Sequence, residues 1–228
     1  MLTRRQRHLN PASCGAVIAL DARFLTGFAD GDAVETWTGR SGTSNNATQS
    51  SAGNKPTFKA AVLNGQATVR FGSNQYMEIA SISSIVPSAA TVVMAYYSPD
   101  ASRFLLSTNI ADSWDRYFGD GYSYPSVCHD SSGHKRQQQY DQVASSVTEI
   151  QSQVISSTFQ LFRNGVASSL NANPYGFVDS VATLGRGSGG FNAALDFGAC
   201  IVVPSAVSAA VRKRLEQSLA ASFRIAAA

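Results

Sequence analysis

The sequence is short of charge. Charged residues make up 14% of the 228 positions, against about a quarter in an ordinary globular chain. Polar surface must therefore come from Ser, Thr, Asn, Gln and Gly, which suits a β-sandwich with long neutral loops. Acidic pairs are missing too. The four glutamates, Glu35, Glu78, Glu149 and Glu216, stand apart from one another. Retaining glycoside hydrolysis needs two carboxyls about 5–5.5 Å apart, and no strand here presents two acids on one face. No Gly-x-Ser-x-Gly elbow occurs, and two of the three histidines share one polar stretch. We expect no enzyme.

Cysteine is scarce. Cys14, Cys128 and Cys200 are odd in number and form no Cys-x-x-Cys, so a disulfide framework is not expected. Cys200 reads as a small buried hydrophobe inside a strand. Cys128, His129, Asp130 and His134 bring metal-ligand types together, but a structural zinc site needs four ligands on a rigid frame, and this stretch reads as a solvated loop. No apolar run approaches the ~18 residues of a membrane span. The run Cys14 to Leu20 is short and meets Asp21 and Arg23 at once, so it reads as a first strand and not a signal peptide. The net charge is only +3. Basic residues gather in Arg4, Arg5, Arg7 and His8 and in Arg212, Lys213 and Arg214. These read as a solvated tail and a solvated helix face. A broad basic stripe with interleaved aromatics is lacking, so nucleic acid and membrane are not expected partners.

Short strand patterns fill the chain. Ala16 to Leu20 reads as buried strand, Val34 to Trp37 alternates, and Ala67, Val69 and Phe71 face one way. Gln75 to Ile79, Thr148 to Ser152 and Thr158 to Arg163 also read as strands. Thr91 to Tyr97 is almost continuously apolar, the mark of a central strand covered on both faces. His129 to Gln142 is strongly polar and fits an exposed strand pair or a mobile loop. Asn164-Gly165 predicts a two-residue hairpin, because both turn positions need positive φ. A last strand is expected from Ala194 to Val203, with Leu195, Phe197, Ala199 and Ile201 on one face. One helix is expected over 209–223. Ser208 caps it, and Val211, Leu215, Leu219 and Phe223 form its buried stripe. The fold expected is all-β, a two-sheet antiparallel jelly-roll sandwich with one C-terminal helix. It would span 16–228 behind a basic arm at 1–15.

Several segments resemble, in order, the concanavalin A-like (laminin G-like) jelly-roll family. They are Ala19-Leu20-Asp21-Ala22, Trp37, Ser41-Gly42, Asn45 to Gln49 and Lys55-Pro56-Thr57. Leu63-Asn64-Gly65, Val69-Arg70-Phe71 and Phe159 to Val166 follow, then the glycine-rich turn Leu184 to Gly190 with the closing strand and helix. The resemblance spans residues 16 to 225 and implies a fold more than an activity. Trp37 is expected in the core. Calcium is the metal the family suggests, with Asp112, Asp115 and Asp120 in one loop and Asp30 and Asp32 in another. Gly198 and Ala199 stand where relatives carry an acid, which argues against it. No cofactor is otherwise expected.

The resemblance also implies binding. Sugars are held by aromatic faces and by carboxylate, amide and guanidinium hydrogen bonds. The loop carrying Trp114, Asp115, Arg116, Tyr117, Asp120, Tyr122 and Tyr124 has that composition. Phage tail and capsid accessory proteins look like this family, and no export signal is visible. We therefore expect a non-enzymatic virion structural or accessory protein, made in the host cytoplasm, with a lectin-like adhesive jelly roll. Its partners would be other virion proteins and cell-surface glycans, with Arg4, Arg5 and Arg7 as a docking arm. The alternative is a free-standing carbohydrate-binding module, extracellular or at a cell surface. A homo-oligomer stays open.

Overall fold

The computed structural model describes residues 10–80, 89–99, 147–156, 158–167, 181–186 and 194–226. It also describes the strands at 106–108, 116–118, 126–129, 135–138 and 171–172. Among the described residues, two large antiparallel sheets, a separate two-stranded pair and one α-helix make up a β-sandwich, as the sequence predicts.

The larger sheet is built around two long strands, β7 (Ala90–Ser98) and β17 (Leu195–Val203), which pair along most of their length. On the far side of β7 lie β12 (Val147–Ile155), β13 (Thr158–Arg163), β14 (Val166–Ala167) and β15 (Asn171–Ala172). The other edge of β17 is shared. β1 (Ile18–Asp21) takes residues 199–202, and β5 (Gln66–Phe71) takes residues 195–197. β4 (Thr57–Leu63) completes that side. The smaller sheet has the order β2 (Thr36–Trp37), β3 (Ala47–Thr48), β6 (Met77–Ala80), β16 (Val181–Leu184), β8 (Leu106–Thr108), β9 (Arg116–Phe118). Within the polar stretch His129 to Gln142, the described residues lie in a strand pair, β10 (Ser126–His129) against β11 (Lys135–Gln138).

The two sheets enclose the main core. Trp37, Met77, Ile79, Leu106 and Leu184 of the smaller sheet face Phe71, Val92, Met94, Tyr96 and Phe197 of the larger. Trp37 is fully buried and meets Phe197 edge-on at 6.3 Å between ring centroids. It is the core aromatic that the sequence predicts. Cys200 is enclosed as well, and burial pushes its thiol up to about 12, so it stays neutral and unreactive at physiological pH.

The helix α1 (Ala209–Phe223) covers the opposite face of the larger sheet. Leu215, Leu219 and Phe223 pack on Val93, Ala95, Ile150, Ala199, Ile201 and Val203, and Val211 packs at the margin. β7 and β17 are thus covered on both faces, which is why their sequences carry almost no polar alternation. Ser208 caps the helix by accepting from the Val211 N–H. The Thr91 hydroxyl donates to the Ser205 carbonyl at 2.8 Å and accepts from the Val207 N–H at 3.0 Å. These bonds fix the turn that launches the helix. At its other end the Asn64 amide donates to the carbonyls of Phe223 and Arg224, at 3.0 and 3.1 Å. Those carbonyls have no partner within the helix.

Two expectations are corrected. Leu195 and Phe197 face the inter-sheet core, but Ala199 and Ile201 face the helix. The cause is a bulge at Gly198, where the pairing with β7 slips by one residue. An extra residue in a strand exchanges its two faces beyond that point. A Cβ on residue 198 would lie 2.6 Å from the Phe223 ring, so glycine also allows the helix to approach. The second correction concerns Arg212. It is not on a solvated helix face. Its side chain is 4% exposed, ion-paired with the equally buried Glu216, and its guanidinium lies 3.4 Å from the Phe162 ring centroid. The Ser152 hydroxyl donates to the same Glu216 carboxylate. Lys213 and Arg214 are exposed, as expected. The Asn164–Gly165 hairpin forms as predicted, with φ of 48° and 88°.

Candidate ligand-binding cleft

β1 ends at Asp21 and the chain tightens at once into a 3₁₀ turn, Ala22–Phe24. Asp21 drives this. Its carboxylate accepts from the Arg23 backbone N–H at 3.1 Å, capping the turn. It also accepts from Arg23 Nε and Nη2 at 2.9 and 2.6 Å. The Arg23 guanidinium lies 4.8 Å from the ring centroid of Phe223. The turn is thereby tied to the end of α1, and the next residue, Phe24, is turned outward. It is 48% exposed, one of only two large hydrophobic side chains left so open among the described residues.

A second arginine meets it from the loop after β2. The Arg40 backbone N–H donates to the Ala19 carbonyl at 2.8 Å, on the free edge of β1. Ser41, Thr43 and Asn45 all direct side-chain hydrogen bonds at the Val17 carbonyl, at 2.9, 2.7 and 2.8 Å. The Ser41-Gly42 and Asn45 segments are therefore scaffold, which holds Arg40 in place. Its guanidinium stacks 3.3 Å from the Phe24 ring centroid.

These side chains rim a cleft between β1, the 3₁₀ turn and α1. Ala19, Ala199 and Ile201 form its floor, and Leu215, Leu219 and Ser218 form its helical wall. Pro11 closes one end, placed there by the 3₁₀ turn Pro11–Cys14. Arg214 precedes Ser218 by one helical turn and so rises on the same side of α1. It lies near Cys14, whose thiol is nevertheless raised, because burial outweighs the cation. The cleft thus sets an open aromatic, Phe24, beside the guanidinium groups of Arg23 and Arg40, above buried apolar residues. Sequence reading misses it, because Phe24, Arg40 and Ser218 lie on three separate elements.

The residues predicted from sequence fall elsewhere. Arg116 and Tyr117 lie in β9, the edge strand of the smaller sheet. Trp114, Asp115, Asp120, Tyr122 and Tyr124 are outside the described residues, as are Arg4, Arg5 and Arg7 and the loop aspartate Asp112. Of the other calcium candidates, Asp30 accepts from the Ala60 N–H at 2.9 Å and from Lys59. These bonds hold its carboxyl below the usual range. Asp32 accepts from the Ala29 N–H at 2.7 Å. Among the described residues no three His, Cys, Asp or Glu side chains converge on a metal-sized site. Cys128 and His129 lie in β10, while Asp130 and His134 are outside the described residues.

No family model matches the chain, and no curated protein matches it. Solved structures do. The binding domain of Paraclostridial Mosquitocidal Protein 1 aligns over 93% of this chain, with 13% identity and a TM-score of 0.64. The structure described as HCR/D W1238A mutant aligns over 92%, with 8% identity and a TM-score of 0.63. Trypanosoma rangeli sialidase in complex with sialic acid aligns over 91%, with 11% identity and a TM-score of 0.53. The chain shares their all-β sandwich fold. It spans 53% of the length of each of the first two structures and 33% of the sialidase. The matched region is therefore one part of those larger molecules, and the likeness is one of fold.

Proposed function

We propose that this chain is a non-enzymatic, lectin-like module of the concanavalin A-like kind that binds carbohydrate. The observation that carries the reading is the cleft at the free edge of β1. There the Phe24 ring is held open to solvent beside the guanidinium groups of Arg23 and Arg40. An aromatic face for sugar C–H groups and charged donors for hydroxyls are what sugar recognition needs. The sialidase structure in complex with sialic acid, which shares the fold over 33% of its length, lends support to a carbohydrate ligand.

The state of the acids supports binding over catalysis. Asp21, Asp30, Glu35, Asp196 and Glu216 are each ion-paired, with Arg23, Lys59, Lys55, Arg70 and Arg212 in turn. Lys59 and Lys55 hold the Asp30 and Glu35 carboxyls below the usual range, so the charged form of these two is favoured and they are poor general acids. On a glycan array the purified protein should retain a subset of glycans, with or without calcium. It should show no turnover of laminarin, agarose or carrageenan. Turnover that disappears on changing a single Glu or Asp would overturn the non-enzymatic reading.

A place on a virion is the narrower form of this proposal, with Arg4, Arg5 and Arg7 docking on an acidic neighbour. A deletion of residues 1–10 should then lower incorporation into particles and leave the thermal midpoint of the sandwich unchanged. Unaltered incorporation, or a protein that never joins a particle, would leave the free-standing module.

A further inference from the structure

We propose that the exposed face of α1 docks an acidic segment of a partner protein, with Lys213 and Arg214 receiving its carboxylates. This surface lies outside the Phe24 cleft, and it goes beyond the carbohydrate reading without depending on it.

Elsewhere the chain matches its charges. Asp21, Asp30, Glu35, Asp196 and Glu216 each hold a cation. Lys213, Arg214 and Arg224 are exposed and have no carboxylate partner among the described residues. Arg40, across the cleft, has none either. The helix region and two segments that meet it, residues 10–16, 38–46 and 204–226, contain one acid, Glu216, and five cations. Glu216 is buried and held by Arg212, and Asp21 nearby is held by Arg23. The four other cations are therefore left on one side of the molecule with no acid to balance them. A surface of one sign selects a partner of the other.

The helix itself does not account for Lys213 and Arg214. Arg224 stands at the C-cap, where the helix dipole favours a cation. Lys213 and Arg214 stand in the N-terminal half, and no acid occupies the first turn. The positions four residues away are Ala209 and Gln217 for Lys213, and Ala210 and Ser218 for Arg214. None of these forms the ion pair by which surface helices usually offset a charge.

The relief of the face fits a chain laid along it. Ala209, Ala210 and Gln217 are exposed beside the cations, and Ala221 is half-buried. No bulky side chain stands among them. At about 1.5 Å of rise per residue, Arg214 and Arg224 are roughly 15 Å apart along the axis, so one short acidic segment can reach both. A lipid surface would need the apolar stripe of the helix, and that stripe is covered by Val93, Ala95, Ile150, Ala199 and Ile201. A nucleic acid is held by a long row of phosphate contacts, for which four cations are few.

The test uses a helical peptide of Glu and Ala, with the same peptide carrying Gln for Glu as control. Binding to the full chain is measured by calorimetry at low and at physiological salt. The Glu peptide should bind and the Gln peptide should not, and the affinity should fall as salt screens the contact. The K213Q/R214Q double variant should bind about tenfold more weakly, the scale of two exposed ion pairs. R186Q is the control for net charge. It removes a cation that also lacks a carboxylate partner but lies over Tyr76, after β16 of the smaller sheet, and it should bind as the parent does. Lys213 and Arg214 are exposed, so the thermal midpoint of the double variant should stay within a few degrees of the parent.

No binding of the Glu peptide at low salt would overturn the proposal. So would an equal loss in R186Q, which would reduce the effect to net charge. Tighter binding of phosphatidylserine vesicles or of duplex DNA, lost in the same double variant, would give the face to lipid or nucleic acid instead. The glycan array separates the two readings. If glycans bind and the Glu peptide does not, only the docking surface falls. If the peptide binds through Lys213 and Arg214 and no glycan binds, only the carbohydrate reading falls.

Discussion

Replacing Arg212 with methionine should destabilise the protein by about 3–5 kcal/mol, more than any exposed charge substitution in the chain. Methionine can fill the space over Phe162, so lost packing is a small part of the effect. The large part is Glu216. Its side chain is 4% exposed and its carboxylate is held by Arg212 and the Ser152 hydroxyl. Without Arg212 a charged carboxylate stays buried against one neutral donor. The Arg212→Met, Glu216→Leu double variant removes that orphan charge and should recover most of the loss. Urea unfolding with a constant m-value would measure both. A loss below about 1 kcal/mol in the single variant would show that the pair is reached by water. The prediction separates this pair from Lys55–Glu35 and Lys59–Asp30, whose acids are 66% and 58% exposed. Surface pairs of that kind are typically worth about 0–1 kcal/mol.

Adding one methyl group at Gly198 should cost about 1–3 kcal/mol or more. The new Cβ would lie 2.6 and 2.9 Å from two atoms of the Phe223 ring and 2.9 Å from Leu63 Cδ2. Leu63 can turn away. Phe223 has little freedom, because its ring is fully buried and lies under the Arg23 guanidinium. The helix must therefore lift from the sheet. A Phe223→Leu partner should relieve the clash, so the double variant should lose at least 1 kcal/mol less than the sum of the singles. Strict additivity in thermal or urea unfolding would show that the helix does not rest on this bulge. The lifted helix carries Leu215, Ser218 and Leu219, so Gly198→Ala should also alter the cleft that they line.

Much of the architecture was legible because it rests on local patterns. The apolar run of β7 announced a strand covered twice, and the i+4 spacing from Leu215 to Phe223 announced the helix and its buried stripe. What escaped depends on single residues or on distant meetings. β4 carries Lys59-Ala60-Ala61 at its centre, with no alternation and no β-branching there, and its pairing with β5 slips beyond Lys59. The bulge at Gly198 exchanged the faces of β17, and a lone glycine in a strand does not say whether it bends, packs or pairs. Arg212 and Glu216 look like an exposed i, i+4 pair. Only the arrival of Ser152 and Phe162 from β12 and β13 makes them interior. The cleft was illegible for a similar reason. Arg23-Phe24 is an ordinary dipeptide until Arg40 and α1 are laid beside it.

The position of β17 bears on how the chain is made. A ribosome releases β1 early, yet its hydrogen-bonding partner lies at residues 199–202, about 180 residues downstream. At roughly 5–20 residues per second, β1 waits about 10–40 s for that partner. β5 and β7 wait for the same segment. One later strand therefore joins three earlier ones, and the larger sheet closes only once residues 195–203 have been made. Until then a nascent chain offers the unpaired edge of β7 to its surroundings. A truncation just before residue 195 should be held by chaperones or aggregate, whereas one just before the helix would already contain every strand.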